Sequence, residues 1–201
     1  SYHSLILKQD GSLWACGDNV YGQLGDGTNT DRLVPVEAFS GDVADVAAGQ
    51  GHSLVLKTDG SLWAFGYNWI GGLGDGTAVS RSTPVQIYAA GVVRIAAGPL
   101  YSLIARDDGW LWACGDNYRG QLGDGTIVDQ LAPVTAFPEP VAAVAAGESH
   151  ALLLGADGSL WACGRNQYGE LGDGTSSIRA VPVEIIPTGV SAIAAGEEHS
   201  L

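Results

Sequence analysis

Four histidines recur in this chain at a regular spacing, and histidines could in principle bind a metal. His3 and His52 lie 49 residues apart, His150 and His199 continue the spacing, and Tyr101 occupies the slot between them. Imidazole is a common metal ligand, but tyrosine is a poor replacement for it in a zinc site. A ring that packs and makes one hydrogen bond can be either residue. The pattern therefore predicts a structural role for this slot.

A glycine-rich loop also recurs and could be taken for a phosphate cradle or a calcium loop. Its first copy, Gly22 to Thr28, has the sequence GQLGDGT. It lacks the lysine and the following helix of a P-loop, and it lacks the alternating carboxylates of an EF-hand. We therefore expect the glycines to adopt positive φ. Asn19, Asp26 and Thr28 are expected to cap the loop's own amides.

Cysteine and tryptophan occupy two further recurring slots. A slot that accepts phenylalanine is apolar and buried, so the cysteines are predicted to be separate core residues without disulfides. They are Cys16, Cys114 and Cys163, with Phe65 in the second copy. The tryptophans are predicted to pack between neighbouring sheets, and they are Trp14, Trp63, Trp112 and Trp161. No set of nucleophile, base and orienting group recurs, so no enzyme activity, catalytic residue, metal or cofactor is predicted.

All these slots belong to one 49-residue unit that occurs four times without insertion or deletion. The units span 1–49, 50–98, 99–147 and 148–196, and residues 197–201 begin a fifth. Within a unit, two short apolar runs flank Asp10-Gly11, a strong signal for a two-residue hairpin in which both positions accept positive φ. Pro35 marks an edge strand, because proline cannot donate to an inner ladder. Val43 to Ala48 is a fourth strand, and no helical periodicity appears.

Four strands in every unit predict an all-β chain, a β-propeller of four-stranded blades that forms a single domain over residues 1–201. The hairpin strands are apolar on both faces, as in a blade stacked between two others. The chain has 9 Lys+Arg against 22 Asp+Glu, a net charge of −13 that makes nucleic acid and anionic membranes poor partners. No apolar run approaches the ~20 residues of a membrane span.

The recurring string HSLxLxxDGxLWxxGxNxxGQLGDGTxxxxxxPV…AAG resembles the regulator-of-chromosome-condensation repeat over essentially the whole chain. The resemblance implies a seven-bladed propeller, of which these units form an open part, with blade boundaries offset from the sequence repeat. The compact, even spacing is similar to that of bacterial members, and we favour a secreted or cell-surface location over the cytoplasm. The family includes nucleotide exchange factors, chromatin-docking proteins, ultraviolet-B sensors and secreted β-lactamase inhibitors, so fold alone selects no function.

Function is expected at loop positions where the copies differ. One variable cluster follows each loop asparagine and is rich in residue types that dominate interfaces. A second follows each Ala-Ala-Gly, and Trp110 replaces a serine after a hairpin turn. The predicted partner-binding residues are Tyr21, Gln50, Trp69, Ile70, Pro99, Leu100, Trp110, Tyr118, Arg119, Glu148 and Tyr168. The competing interpretation is that these are drifted surface residues without a role.

These positions favour a scaffold that binds another protein through variable loops on one rim. The alternative is a regulatory activity, such as guanine-nucleotide exchange on a small GTPase or secreted enzyme inhibition by surface occlusion. An open arc would also expose two apolar blade faces, which invites self-association.

Overall fold

The computed structural model describes residues 2–201, which form fifteen β-strands. The strands are β1 His3–Leu7, β2 Leu13–Gly17, β3 Arg32–Phe39, β4 Val43–Ala48, β5 His52–Lys57, β6 Leu62–Gly66, β7 Arg81–Tyr88, β8 Val92–Ala97, β9 Tyr101–Arg106, β10 Leu111–Gly115, β11 Gln130–Phe137, β12 Val141–Ala146, β13 His150–Gly155, β14 Leu160–Gly164 and β15 Arg179–Ile186. Over residues 2–201, no helix has the length and apolar character needed to cross a membrane.

The strands form four antiparallel sheets in simple chain order. The first sheet is β1-β2-β3, and the others are β4-β5-β6-β7, β8-β9-β10-β11 and β12-β13-β14-β15. Each four-stranded sheet therefore begins with the last strand of one sequence unit and continues into the next. The all-β blade prediction and the offset between blade and sequence repeat are both confirmed.

The proline-containing strands are the outermost strands of their sheets. Pro35 lies in β3, and β7, β11 and β15 contain the equivalent prolines. The edge position predicted from the missing amide proton is confirmed.

The hairpin turn differs from the two-residue turn predicted at Asp10-Gly11. The Lys8 amide donates to the Ser12 carbonyl at 2.9 Å, and the Gly11 amide donates to the Lys8 carbonyl at 3.0 Å. Gly11 has a φ of +78°, whereas Asp10 does not take positive φ. The Asp10 carboxylate instead accepts hydrogen bonds from the amide and the hydroxyl of Ser12, at 3.0 and 2.6 Å. The expectation of two positive-φ residues was wrong, because this side chain stabilises a three-residue loop closed by one glycine.

The core lies between neighbouring sheets. Between the second and third sheets, Leu54 and Leu62 pack in one cluster with Val92 and Ile104. Burying each such side chain contributes about 1.5–3 kcal/mol. Strands β5, β9 and β13 are buried along nearly their whole length, which confirms the expected burial of both faces, whereas β1 is more exposed.

The tryptophan slot packs at the sheet interfaces, as predicted. Trp112, for example, lies against the cluster between the second and third sheets. In the other three copies, the indole N–H donates to a serine hydroxyl two residues earlier. Trp110 replaces that serine in the third copy, and the buried Trp112 Nε1 has no acceptor within residues 2–201.

The cysteine slot is also a packing position. Cys114 and Cys163 are fully buried free thiols, and Cys16 is half-buried. Burial raises the pKa of the Cys114 and Cys163 thiols to about 12, which keeps them protonated and unreactive.

The histidine slot connects neighbouring sheets. His52 Nε2 lies 3.0 Å from the hydroxyl of Ser102 on the next sheet, and that hydroxyl donates to the Gly72 carbonyl at 2.7 Å. Because the hydroxyl proton is used there, the imidazole is the donor in the first bond. We call these two linked hydrogen bonds, from the imidazole to the serine and from the serine to a backbone carbonyl, a histidine strap. Equivalent straps join His3 to Ser53 and His150 to Ser200.

Between the third and fourth copies both members of this His–Ser pair are replaced together. The Tyr101 hydroxyl lies 2.6 Å from the His150 carbonyl and 3.1 Å from the Gly147 carbonyl, and it donates toward both. Ala151 stands where the other copies have serine. The structural role predicted for the slot, a packed ring with a hydrogen bond, is confirmed.

The inner strands β4, β8 and β12 lie beside one another. The Ala-Ala-Gly segments at their ends line one central cavity of about 450 Å³. Strand β1 pairs with β2, and the last residues form an isolated bridge between Ala195 and Ser200. Within residues 2–201 the first and last sheets share no strand pairing. The seven-bladed ring and the single-domain boundaries remain predictions.

Candidate functional site

Two sets of loops emerge at the same end of the sheets. In an antiparallel sheet of four strands in chain order, the connection from first to second strand and that from third to fourth leave at one end. The first set is residues 49–51, 98–100 and 147–149, and the second is residues 18–31, 67–80, 116–129 and 165–178. The two sets touch, since the Tyr67 amide donates to the Gly51 carbonyl at 2.8 Å. We call this end of the molecule the loop face.

The loop face brings together ten of the eleven predicted partner-binding residues. They are Tyr21, Gln50, Trp69, Ile70, Pro99, Leu100, Tyr118, Arg119, Glu148 and Tyr168. Trp110 is exposed, but it follows the hairpin turn between β9 and β10, which lies at the opposite end of the sheet. Trp110 therefore cannot share a rim with the others, and the prediction of one rim for all eleven is corrected at this residue.

Neighbouring slots of the loop differ in exposure. Trp69 and Tyr118 occupy one slot and are 64% and 66% exposed, so both emerge from the loop face as predicted. In the next slot Tyr21, Ile70 and Arg119 are half-buried, whereas Tyr168 in the fourth copy is 68% exposed. The rings of Trp69 and Tyr118 can thus present most of their surface to a partner.

The loop keeps its shape without these aromatic side chains. Asn68 is fully buried, and its Nδ2 donates to the Asp75 carboxylate at 2.9 Å and to the Thr77 carbonyl at 3.0 Å. Its Oδ1 accepts from the Leu73 amide at 3.0 Å. The same network forms around Asn19, Asn117 and Asn166. The predicted capping role of the asparagine and aspartate is confirmed.

The loop aspartates are occupied by protein groups. Asp75 accepts hydrogen bonds from Thr77 and forms an ion pair of 2.7 Å with Arg81. Burial alone would raise its pKa, but these hydrogen bonds hold the pKa of Asp75 below its ordinary value. In residues 2–201 no three histidine, cysteine or acidic side chains lie close enough together to hold a metal. Burial lowers the pKa of His3 and His52 to about 4, so both rings are neutral at pH 7.

An aromatic cluster spans the first and second loops of the face. Tyr21 and Tyr67 meet edge to face with ring centroids 5.0 Å apart. Trp69 lies 5.5 Å from Tyr67 and 6.1 Å from Tyr21. Tyr67 is not among the residues predicted from the sequence. Its signal was the variable slot directly after the second hairpin strand, where the copies have Asp18, Tyr67, Asp116 and Arg165.

Arg165 fills that slot in the fourth copy and was also missed. Its Nη1 lies 3.3 Å from Glu148 and 3.0 Å from Glu198, and its Nε lies 3.3 Å from Glu170. The guanidinium carbon lies 5.1 Å from the centre of the Tyr168 ring. Glu148 and Tyr168, predicted separately, are thus joined by one arginine.

The residue type in the slot that Arg165 fills changes from copy to copy together with the residue type five positions later. Asp18 accepts a hydrogen bond from Gln23, and Asp116 accepts one from Gln121. Arg165 faces Glu170 instead, and Tyr67 is matched by Gly72. The Gln23, Gln121 and Glu170 side chains each also accept from a loop amide two residues before them. The arrangement supports recognition by surface contact.

The sequence matches a family model described as the regulator of chromosome condensation (RCC1) repeat at residues 10–56, 59–105, 108–154 and 157–201. A second model with the same description matches residues 92–121 and 141–170. A search of curated proteins found no significant match.

Solved structures match over the whole chain. Human WBSCR16 matches with a TM-score of 0.85 and 23% identity, covering 100% of this chain and 55% of that one. Yeast RCC1 (Prp20), solved with Kap60, matches with a TM-score of 0.86 and 23% identity over 100% and 51% of the two chains. Prp20p from Saccharomyces cerevisiae, solved in a study of its binding to Gsp1p and histones, matches with a TM-score of 0.83 and 24% identity over 100% and 53%. The chain spans about half the length of these proteins, and identities this low show the fold alone.

Proposed function

The chain belongs to the regulator of chromosome condensation repeat family, and from this premise we propose that it binds another protein through the loop face and acts by binding, not by catalysis. The observation on which the proposal rests is the exposure of Trp69 and Tyr118 on a loop whose shape is held by the asparagine network. Tryptophan and tyrosine are enriched among residues that dominate binding energy. Val20 and Gln167 fill the same slot in other copies, so the scaffold does not need an aromatic ring there.

The surroundings of these rings suit a protein partner. Tyr21, Tyr67 and Trp69 form a mixed apolar and polar surface, and Arg119 stacks on Tyr118 at 4.9 Å. A net charge of −13 opposes the approach of a phosphate backbone. The relative Prp20 was solved bound to Kap60, and its binding to Gsp1p and histones has been described. We extend from this relative only the use of such a propeller for protein binding.

The proposal is tested with Trp69→Ala and Tyr118→Ala. The wild-type chain is used as bait in cell extract, its partner is identified by mass spectrometry, and affinity is measured with both proteins purified. Each substitution should weaken binding by about 1–3 kcal/mol with little change in melting temperature. Val20→Ala and Gln167→Ala, in the same slot, should leave the affinity within about twofold of wild type.

Two results would contradict this proposal. The first is a large loss of stability in Trp69→Ala or Tyr118→Ala with unchanged affinity per folded molecule, because the rings would then be structural. The second is accelerated nucleotide release from a small GTPase partner, measured with a fluorescent nucleotide, which would support the exchange alternative.

A further inference from the structure

A pocket of about 330 Å³ opens on the loop face between the first and second sheets. Its walls include three tyrosines, Tyr2, Tyr21 and Tyr67, together with Asp18 and Leu100. Because Tyr21 and Tyr67 stand edge to face, with an interplanar angle of 77°, the pocket is bordered by rings in different orientations. A side chain that enters it meets aromatic surface on more than one side.

Gly51 keeps this pocket open. A Cβ added at Gly51 would lie 3.2 Å from the Cβ of Tyr67 and 3.7 Å from the Tyr21 ring. The equivalent residues in the other copies are Leu100, Ser149 and Glu198, so the backbone at this slot accommodates a side chain. In this copy the glycine leaves free the space that a side chain at this slot would enter.

The charge of the pocket favours a cation. Asp18 is its one carboxylate, and no lysine or arginine is among the described residues that line it. Burial raises the pKa of Tyr67, so its phenol is neutral at neutral pH. Neutral aromatic faces attract cations through their quadrupole, and a nearby carboxylate adds to that attraction.

The fourth copy shows the same site with a cation supplied by the chain itself. Arg165 stacks on Tyr168 and forms an ion pair with Glu198. Tyr168 is the equivalent of Tyr21, but the arginine slot holds Asp18 in the first copy. The first copy thus keeps the ring, has Gln23 and Gly51 where the fourth copy has Glu170 and Glu198, and has its carboxylate at Asp18, the position that the arginine occupies in the fourth copy.

We propose that the pocket between Tyr21, Tyr67 and Asp18 receives an arginine side chain of the protein partner. Arginine fits better than lysine, because its planar guanidinium can stack on a ring while it donates to a carboxylate. The inference deepens the proposed function, since the pocket lies on the loop face and adjoins Trp69.

The test uses the purified chain and a probe peptide, without the natural partner. Acetyl-Gly-Arg-Gly-amide is titrated while amide chemical shifts are followed by NMR, and the citrulline peptide serves as an uncharged isostere. We expect saturable shifts around Asp18, Tyr21, Gly51 and Tyr67, with the citrulline peptide about three- to tenfold weaker. Gly51→Leu, which fills the pocket without removing any group, should weaken arginine binding about tenfold or more. Ser149→Leu is its matched control and should leave binding unchanged.

Asp18→Asn separates charge from shape and should reduce the preference for arginine over citrulline. The inference is overturned by equal binding of both peptides, by shifts centred on Glu148 and Glu197, by absence of saturable shifts, or by equal effects of Gly51→Leu and Ser149→Leu. If the peptide fails to bind while Trp69→Ala still weakens partner binding, the proposed function stands and the arginine pocket falls. If the peptide binds but Trp69→Ala leaves partner binding unchanged, the arginine pocket stands and the proposed function falls.

Discussion

Among single residues, Trp112 shows how one substitution in a repeat affects its neighbour. Among residues 2–201 the buried indole N–H of Trp112 has no acceptor, because Trp110 occupies the place of the serine that accepts this hydrogen bond in the other copies. Trp110 itself is 44% exposed at the end opposite the loop face. The third copy thus has an exposed ring and a buried unpaired donor where the other copies have one hydrogen bond.

Trp110→Ser should therefore stabilise the protein. The new hydroxyl can accept from Trp112 Nε1, as Ser61 does from Trp63 at 3.2 Å, and a satisfied buried hydrogen bond contributes about 0.5–1.5 kcal/mol. Denaturant unfolding followed by circular dichroism measures the change. Ser61→Ala, which removes the same bond from the second copy, should destabilise by a similar amount. A loss of stability in Trp110→Ser would show that packing of the indole outweighs the hydrogen bond.

Among the structural elements, the glycine-rich loop combines backbone conformation with packing against the next sheet. Gly74 has a φ of +77°, and a Cβ there would lie 3.0 Å from Cys114 Sγ and 3.2 Å from Pro133 Cγ. Gly76 has the same φ of +77° but no atom within 4 Å of such a Cβ. Substituting these two glycines therefore distinguishes the cost of the strained backbone, which both share, from the cost of steric contact, which only Gly74 has.

Gly74→Ala should destabilise the protein more than Gly76→Ala. Both substitutions place an L side chain in the left-handed region, at about 1–2 kcal/mol each. Gly74→Ala also forces the loop away from Cys114 and Pro133, at about 1–3 kcal/mol more. Thermal melts of the two variants give the difference directly. Equal melting temperatures would mean that the loop does not pack on the next sheet as described.

The sequence predicts well which segments form strands and turns. It predicts poorly which side chains meet across neighbouring sheets. The exchange of His52 for Tyr101 at a fixed spacing was enough to assign a packing role, and Pro35 was enough to mark an edge strand. Tyr67 and Arg165 were missed because their contacts cross from one sheet to the next and depend on how sheets stack. Trp110 was grouped with the loop residues as another exposed variable position, although the order of connections in a sheet places alternate turns at opposite ends.

For the whole molecule, the histidine straps make the joining of sheets sensitive to pH. Burial lowers the pKa of His52 to about 4 in the folded protein, against its ordinary value of 6.5. Between these two values the unfolded chain binds more protons than the folded one, so stability falls as pH drops from about 6.5 toward 4. Asp10 has its pKa lowered to about 2 by hydrogen bonds from Ser12, and it titrates below this window.

On lowering the pH from 8 to 5, His52 should account for a loss of about 2 kcal/mol in unfolding free energy. The double variant His52→Tyr, Ser102→Ala copies the natural pair Tyr101 and Ala151, and it should remove that part of the loss. Denaturant unfolding at the two pH values measures the effect, with Ser102→Ala alone as the control that keeps the imidazole. An unchanged pH dependence in the double variant would show that His52 does not titrate on unfolding.

The offset between sheet and sequence unit has a consequence for how such a gene can change in length. Each four-stranded sheet takes its inner strand from one unit and its other three strands from the next, so the junctions between units at these sheets are bridged by hydrogen bonds such as those between β4 and β5. Unequal recombination between repeats would add or delete one whole period wherever the crossover fell. The spliced unit would still begin and end in phase with its neighbours. The number of repeats in such a gene would therefore change by whole units, and each change would leave the remaining sheets complete.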